Sequence, residues 1–319
     1  MPDTETLPAN TADTVADWRA DMEVMTEESG YYHRLGKAHS VLFLDEGTTL
    51  LVTFETMADI MAHPEREPLG MGFARAHGWS LLCVIAEAET WFRDPAVYGF
   101  FDHQVDDAFF EDFDRVMFYG AGMGGYAACA FSVASPGARV LALNPRATLD
   151  PEQARWDLRN KRAARLDFTS RYGYAPDMLQ GCERAYVIHD PEVNVEAMQA
   201  ALFRAPYITR LSARHLGDHL EGHFAQMGFL TTLVDQVMAG SLTKLRYAKL
   251  WRQRRDYLPY LKLLLAVTAT GAHPDRERKI CNSVTARLRA PRFARHLARL
   301  NEAAQQEAAQ KAGTKAEQP

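Results

Sequence analysis

The chain has 319 residues, enough to bury the core of one large α/β domain or of a domain with an appendage, and its 47 % hydrophobic and 24 % charged residues are ordinary for a globular protein. The apolar runs at 81–86 and 263–268 fall far short of the ~20 residues a membrane span needs. The acidic N-terminus has no charged-then-apolar leader, which reads as cytoplasmic, and four scattered cysteines (Cys83, Cys129, Cys182, Cys281) without a CxxC pair argue against a zinc site or a disulfide framework.

Residues 1–28 are acidic and poor in large apolar groups, and read as a flexible arm, frayed or partly helical. A domain over 29–240 follows. Its first apolar runs, 40–44 and 50–54, flank Asp45-Glu46-Gly47-Thr48 in the pattern of a β-hairpin. Further strands are expected at 79–86, 116–119, 139–143, 185–188 and 207–211. Continuous apolar runs of this length indicate strands covered on both faces. Amphipathic stretches at 55–62, 105–113, 125–135, 151–168 and 195–204 alternate with them. The fold class is therefore α/β, a mostly parallel sheet with helices on both faces after an antiparallel start.

Beyond residue 240 the strand signals stop. Residues 242–266 and 276–310 read as helices of an extension over 241–310, and 311–319 as a disordered tail. Charge divides at the same place: residues 1–240 carry 19 Lys/Arg against 35 Asp/Glu, and residues 241–319 carry 17 against 6. The stretch 245–265 interleaves cations with aromatics, and Leu245, Ala248 and Trp251 share a helical face expected to pack on the domain. An anionic surface could also meet this segment, but no nucleic-acid module is recognisable.

The informative segment is Arg115-Val-Met-Phe-Tyr-Gly120-Ala-Gly122-Met-Gly124-Gly125, an apolar strand running into a glycine-rich turn and a small-residue helix. Gly120, Gly122 and Gly125 match a dinucleotide-binding G-x-G-x-x-G, in which the backbone approaches a pyrophosphate of NAD or NADP. The next strand then ends in Asn144-Pro145-Arg146, where Asn144 replaces the usual ribose-binding acid and Arg146 could meet a 2′-phosphate. The second match is the nucleophile elbow G-x-S-x-G, with Gly122 where serine would stand.

The elbow match extends further. Gly120 to Ala128 resembles the G-x-S-M-G-G-[YF]-x-A form of a subset of α/β-hydrolases, Thr90-Trp91-Phe92-Arg93 resembles their aromatic turn, and Ala142-Leu-Asn-Pro-Arg-Ala-Thr-Leu-Asp150 resembles a later strand end, so the resemblance covers roughly residues 40–240. It implies a triad in the order Gly122, Asp190, His219, with His215 as second choice for the histidine. It also implies oxyanion donors at the N–H of Met123 and at one among Phe54, Glu55 and Thr56. Glycine has no side chain to attack a carbonyl. The expected protein is thus a non-hydrolytic or cryptic member of this group, holding a small molecule or a protein partner in the former active-site pocket, with no cofactor and no metal.

A third resemblance comes from Arg171-Tyr-Gly-Tyr-Ala-Pro176 and the turn Arg146-Ala-Thr-Leu-Asp150, which are similar to chains labelled phosphoadenosine phosphosulfate reductase. The SGGxDS-like loop and ECGxH motif of that family are absent, and Cys281 stands in Ile-Cys-Asn.

Overall fold

The computed structural model describes residues 14–271 and 273–316. Helix α1 (Val15–Thr26) leads into β1 (Gly30–Leu35), β2 (His39–Leu44) and β3 (Thr49–Thr56), followed by α2 (Met57–Ala62), α3 (Leu69–His77), β4 (Ser80–Ala86) and α4 (Pro95–Asp106). Next come β5 (Arg115–Ala121), α5 (Met123–Phe131), β6 (Arg139–Leu143), the one-turn helices α6 (Pro151–Ala154) and α7 (Ala175–Met178), and β7 (Arg184–His189). Helix α8 (Asn194–Leu202), β8 (Ile208–Ser212), α9 (Leu220–Gln226), α10 (Leu230–Met238) and α11 (Lys244–Leu250) complete this part.

All eight strands form one sheet in the order β1-β2-β4-β3-β5-β6-β7-β8. The β1–β2 and β2–β4 pairs are antiparallel and every other pair is parallel. This is the expected fold class. Strand β5 lies in the interior between β3 and β6, so the glycine turn opens at the carboxyl end of a central strand. Alternate residues face opposite sides of the sheet. Phe54, Val84, Phe118 and Val140 belong to the large core shared with α4 and α5. Tyr119 faces the other way, its ring edge-on to Phe73 of α3 at 6.0 Å.

Three expectations are corrected within this sheet. The runs at 40–44 and 50–54 form no hairpin, because β4 lies between β2 and β3. The connecting loop crosses the start of β4, where the Ser80 hydroxyl accepts from Glu46 N (2.9 Å) and Gly47 N (3.0 Å) and donates to Gly47 O (2.7 Å). β2 makes its hairpin with β1 instead, a strand the apolar pattern did not announce. The expected arm takes its partly helical form over Val15–Thr26 but is not free there, since a Thr14/Asp17 capping box starts the helix and Trp18 and Met22 are fully buried; residues 1–13 lie outside the described residues. Finally, two expected helices are largely missing: 105–113 holds only the end of α4 and a single turn at Phe109–Asp112, and 151–168 little beyond α6 and a single turn at Ala163–Arg165.

The chain divides into two compact units between Tyr247 and Ala248, inside α11 and a few residues past the expected boundary at 240. The second unit comprises a tight turn (Trp251–Arg255), α12 (Leu258–Thr270), α13 (Pro274–Thr285) and α14 (Pro291–Ala316). Prolines break the two long helices expected here. Pro259, Pro274 and Pro291 each stand in a first turn, where a missing N–H costs nothing. Helix α14 runs through Ala316 into the segment read as a disordered tail, and 317–319 lie outside the described residues. The stretch through Leu245, Ala248 and Trp251 is not one continuous helix, because α11 ends at Leu250 and the tight turn Trp251–Arg255 follows. Among the described residues no helix is long and apolar enough to cross a membrane.

Candidate functional site

Strand β5 stays in register with β6 through Ala121↔Leu143, and Gly122 N donates to Leu143 O at 2.8 Å. The chain then reverses sharply. Gly122 adopts φ 55° and ψ −113°, and α5 begins at the next residue. A side chain in that conformation is strained by about 1–3 kcal/mol, which glycine avoids. A Cβ built on Gly122 would meet nothing within 4 Å, so the apex opens on free space.

The flanking glycines are there for another reason. A Cβ on Gly120 would lie 2.3 Å from the Gly124 carbonyl, and one on Gly124 would lie 2.1 Å from Phe54 O. Both positions must be bare for α5 to sit down on β5 and β3. Met123 is the first helical residue, and its N–H has no intrahelical acceptor.

The residues implied as partners are dispersed around this turn. Asp190, at the end of β7, is 1 % exposed, and its carboxylate is occupied by backbone: Oδ1 accepts from Glu192 N (2.9 Å), and Oδ2 from Leu216 N and Gly217 N (2.8 Å each). It thereby ties down the loop that carries both candidate histidines. His215 holds φ 64° in that loop and is partly buried. His219 precedes α9 with its side chain 89 % exposed, 3.6 Å from Asp218. Among the described residues no hydrogen bond joins Asp190 to His219.

Of the implied oxyanion segment, Phe54 is core, packed edge-on to Phe92 (5.2 Å) and stacked with Phe131 (5.6 Å). Thr56 caps α2 by accepting from Asp59 N at 3.1 Å. The Glu55 carboxylate accepts from the first N–H groups of α3, Leu69 N (2.6 Å) and Gly70 N (3.0 Å), and from the Thr53 hydroxyl (2.9 Å). Burial pushes the Glu55 carboxyl up, against these hydrogen bonds.

The groups named for a dinucleotide are engaged elsewhere. Asn144 is 1 % exposed, with φ 46° and Nδ2 donating to Gly217 O at 3.0 Å. Arg146 is buried against Glu196 (3.0 Å) and Asp157 (3.6 Å) in a network completed by Arg159 and Gln199. Gly125 packs against Leu143 O and Gly120 O, where a Cβ would stand at 3.0 and 3.1 Å.

A cavity of about 420 Å³ lies beside the elbow, with Ala121, Met123 and Gly124 in its wall. Phe54, Ile60, Leu69 and Leu230 give it apolar surface, and Glu55, Asp59, Glu67 and Glu221 bring carboxylates. No Lys or Arg lines it. Glu67 is matched by Arg75 through two hydrogen bonds (2.7 and 3.0 Å), leaving Glu55, Asp59 and Glu221 as the carboxyl groups that shape the cavity.

Glu221 is the residue that sequence reasoning missed. Its Oε1 accepts from the Tyr119 hydroxyl at 2.5 Å, across 102 residues. Burial pushes its pKa up to about 7, and the charges of Glu55 and Asp59 add to the rise while the Tyr119 hydrogen bond opposes it. The available signal was a tyrosine at the end of an otherwise apolar strand, since a buried Tyr hydroxyl needs a polar partner.

A carboxyl raised in the folded state binds its proton there between pH 4.5 and about 7, where the unfolded chain has released it. Its contribution to stability is therefore complete at low pH and lost as pH rises through this window. Glu221→Gln, which keeps the acceptor for Tyr119 and cannot ionise, should match wild type near pH 4.5 and be more stable by about 1–3 kcal/mol at pH 8. Urea midpoints at the two pH values test this; a pH-independent difference would mean that Glu221 titrates normally.

Among the described residues no group of His, Cys, Asp and Glu side chains is arranged to hold a metal ion, and all four cysteines are buried and free. No protein-family model and no curated protein matches the chain. Solved structures do. Est1E from Butyrivibrio proteoclasticus is similar over 67 % of this chain and 99 % of its own, at 15 % identity and a TM-score of 0.44. The Pyrococcus furiosus esterase Pf2001 is similar over 73 % and 95 %, at 11 % identity and 0.44. The Glycosylation Associate Protein (Gap123) complex from Streptococcus agalactiae is similar over 65 % of this chain and only 45 % of its own, at 13 % identity and 0.43.

Proposed function

Starting from a chain of α/β-hydrolase-like fold, we propose that it is a non-hydrolytic member that binds a small molecule in the cavity beside its elbow. One observation carries this reading: the elbow backbone is complete, and its apex is Gly122, which opens on free space and carries no nucleophile. What survives of the hydrolase site is then a shaped pocket, helix N–H groups at the start of α5, and apolar walls. These can orient a carbonyl-bearing ligand without attacking it.

The lining narrows the ligand class. Asp59 and the carboxyl groups of Glu55 and Glu221, with no Lys or Arg in the lining, disfavour an anion, so the ligand is uncharged or cationic. No cofactor is invoked. A 2′-phosphate would require Arg146 to leave Glu196 and Asp157, uncovering buried charges.

The test is a thermal-shift titration of the whole chain with small uncharged and cationic esters, amides and ketones. A binder at about 100 times its Kd should stabilise the fold by ~2.7 kcal/mol. Ala225 of α9 lies in the cavity wall, so Ala225→Trp, which fills the cavity, should abolish the shift. Absence of any saturable shift in wild type, or an equal shift in the filled variant, would overturn the assignment.

A further inference from the structure

The second unit has a cavity of its own, of about 540 Å³, and its chemistry is opposite to that of the first. Arg254, Arg255, Lys279 and Arg287 stand around it, brought together from the turn at Trp251–Arg255, from α13 and from the residues just after α13. No Asp or Glu lines it. Arg287 is held by Asp256 and donates to Ser283 O and Arg255 O (3.1 Å each). Neither Arg255 nor Lys279 is paired with a carboxylate among the described residues. Four cations thus face one cavity with a single acid to offset them, and their mutual repulsion is relieved by an anion.

Arg254 is set for such a contact. Its guanidinium lies over the Trp251 ring at 5.0 Å and over the Tyr260 ring at 5.8 Å, and Nη1 donates to Trp251 O at 2.5 Å. A planar fork fixed in this way loses little freedom on meeting a phosphate, which it matches better than an ammonium does.

Beneath the cations the cavity is apolar. Leu261 and Val284 are 5 % and 1 % exposed, and Leu264 and Ile280 complete the floor. A bare ion would leave this surface wet, whereas an alkyl chain would cover it.

From the cationic rim and the apolar floor together, we infer that the cavity between α12 and α13 binds a single-chain anionic amphiphile, with a phosphate head against Arg254, Arg255 and Lys279 and an alkyl body on the floor. The site is independent of the elbow cavity.

Calorimetric titration of the whole chain with monomeric decyl phosphate tests the inference, with inorganic phosphate, decyltrimethylammonium and phosphatidylcholine vesicles containing phosphatidylglycerol as comparators. Saturable one-to-one binding of decyl phosphate is expected, at least about ten-fold tighter than either small comparator. Arg255→Glu with Lys279→Glu should weaken it by a further factor of about ten or more, while Ala225→Trp leaves it unchanged. Should the double reversal disturb the fold by circular dichroism, Arg255→Gln with Lys279→Gln serves the same purpose. Equal binding of decyltrimethylammonium, or indifference to the substitutions, would overturn the cationic rim. Inorganic phosphate binding as tightly as decyl phosphate would overturn the floor. Capture by anionic vesicles without binding of the monomer would assign the basic face to a bilayer and overturn the pocket.

Discussion

Gly124→Ala is expected to cost about 4 kcal/mol or more, a large share of the 5–15 kcal/mol that holds a domain together. The added Cβ would stand 2.1 Å from Phe54 O, and both the obstructing atom and the alanine belong to backbone that cannot turn aside. Relief would require lifting α5 off β3 and opening the core around Phe54, Phe118 and Phe131. Gly120→Ala, with its Cβ 2.3 Å from the Gly124 carbonyl, belongs to the same class. Gly122→Ala does not. Its Cβ points into open space, so only the strain of φ 55° remains, at about 1–3 kcal/mol. Urea unfolding of the three variants measures this ordering. A Gly124→Ala protein within 1 kcal/mol of wild type would mean that α5 is not seated on the sheet as described.

The second large effect is catalytic. The wild-type chain should hydrolyse short activated esters no faster than a hydrolase stripped of its nucleophile, on the order of 10⁶-fold below an intact triad. Gly122→Ser should fold, because space for the hydroxyl exists, yet it should give no burst of acylation. A new serine needs a base to take its proton, and the base needs an orienting acid. Here Asp190 is committed to the amides of Glu192, Leu216 and Gly217, and the exposed His219 makes no hydrogen bond to it. Stopped-flow measurement of nitrophenol release from wild type and variant decides the matter. A stoichiometric burst in Gly122→Ser would show that a histidine swings in to meet Asp190. Robust turnover by wild type, blocked by a serine-reactive phosphonate, would place a nucleophile elsewhere.

By itself the sequence determined the features set by neighbours along the chain. The run ending at Tyr119 is apolar on both faces, so it had to be an interior strand, and no residue with a side chain fits Gly120 or Gly124 where strand turns abruptly into helix. Pro259 and Pro291 were likewise a local signal against unbroken helices over 242–266 and 276–310, since proline has no N–H to donate inside a helix and is accommodated in a first turn. The tertiary structure alone decided what depends on partners distant in sequence. Nothing local in the runs at 40–44 and 50–54 says that β4 will insert between them, since two apolar strands with a short polar link look the same whether they pair or not. The burial of Trp18 and Met22 depends on a surface that exists only once β1 and β2 are paired. Glu221 shows the difference most sharply. In sequence it is one more acid beside two histidines; placed by α9 opposite Tyr119 and near Glu55 and Asp59, the same carboxyl is desolvated, and its ionisation moves to about pH 7. Sequence records a group's chemistry, but its pKa follows from the solvent and charges around it, and the fold supplies both.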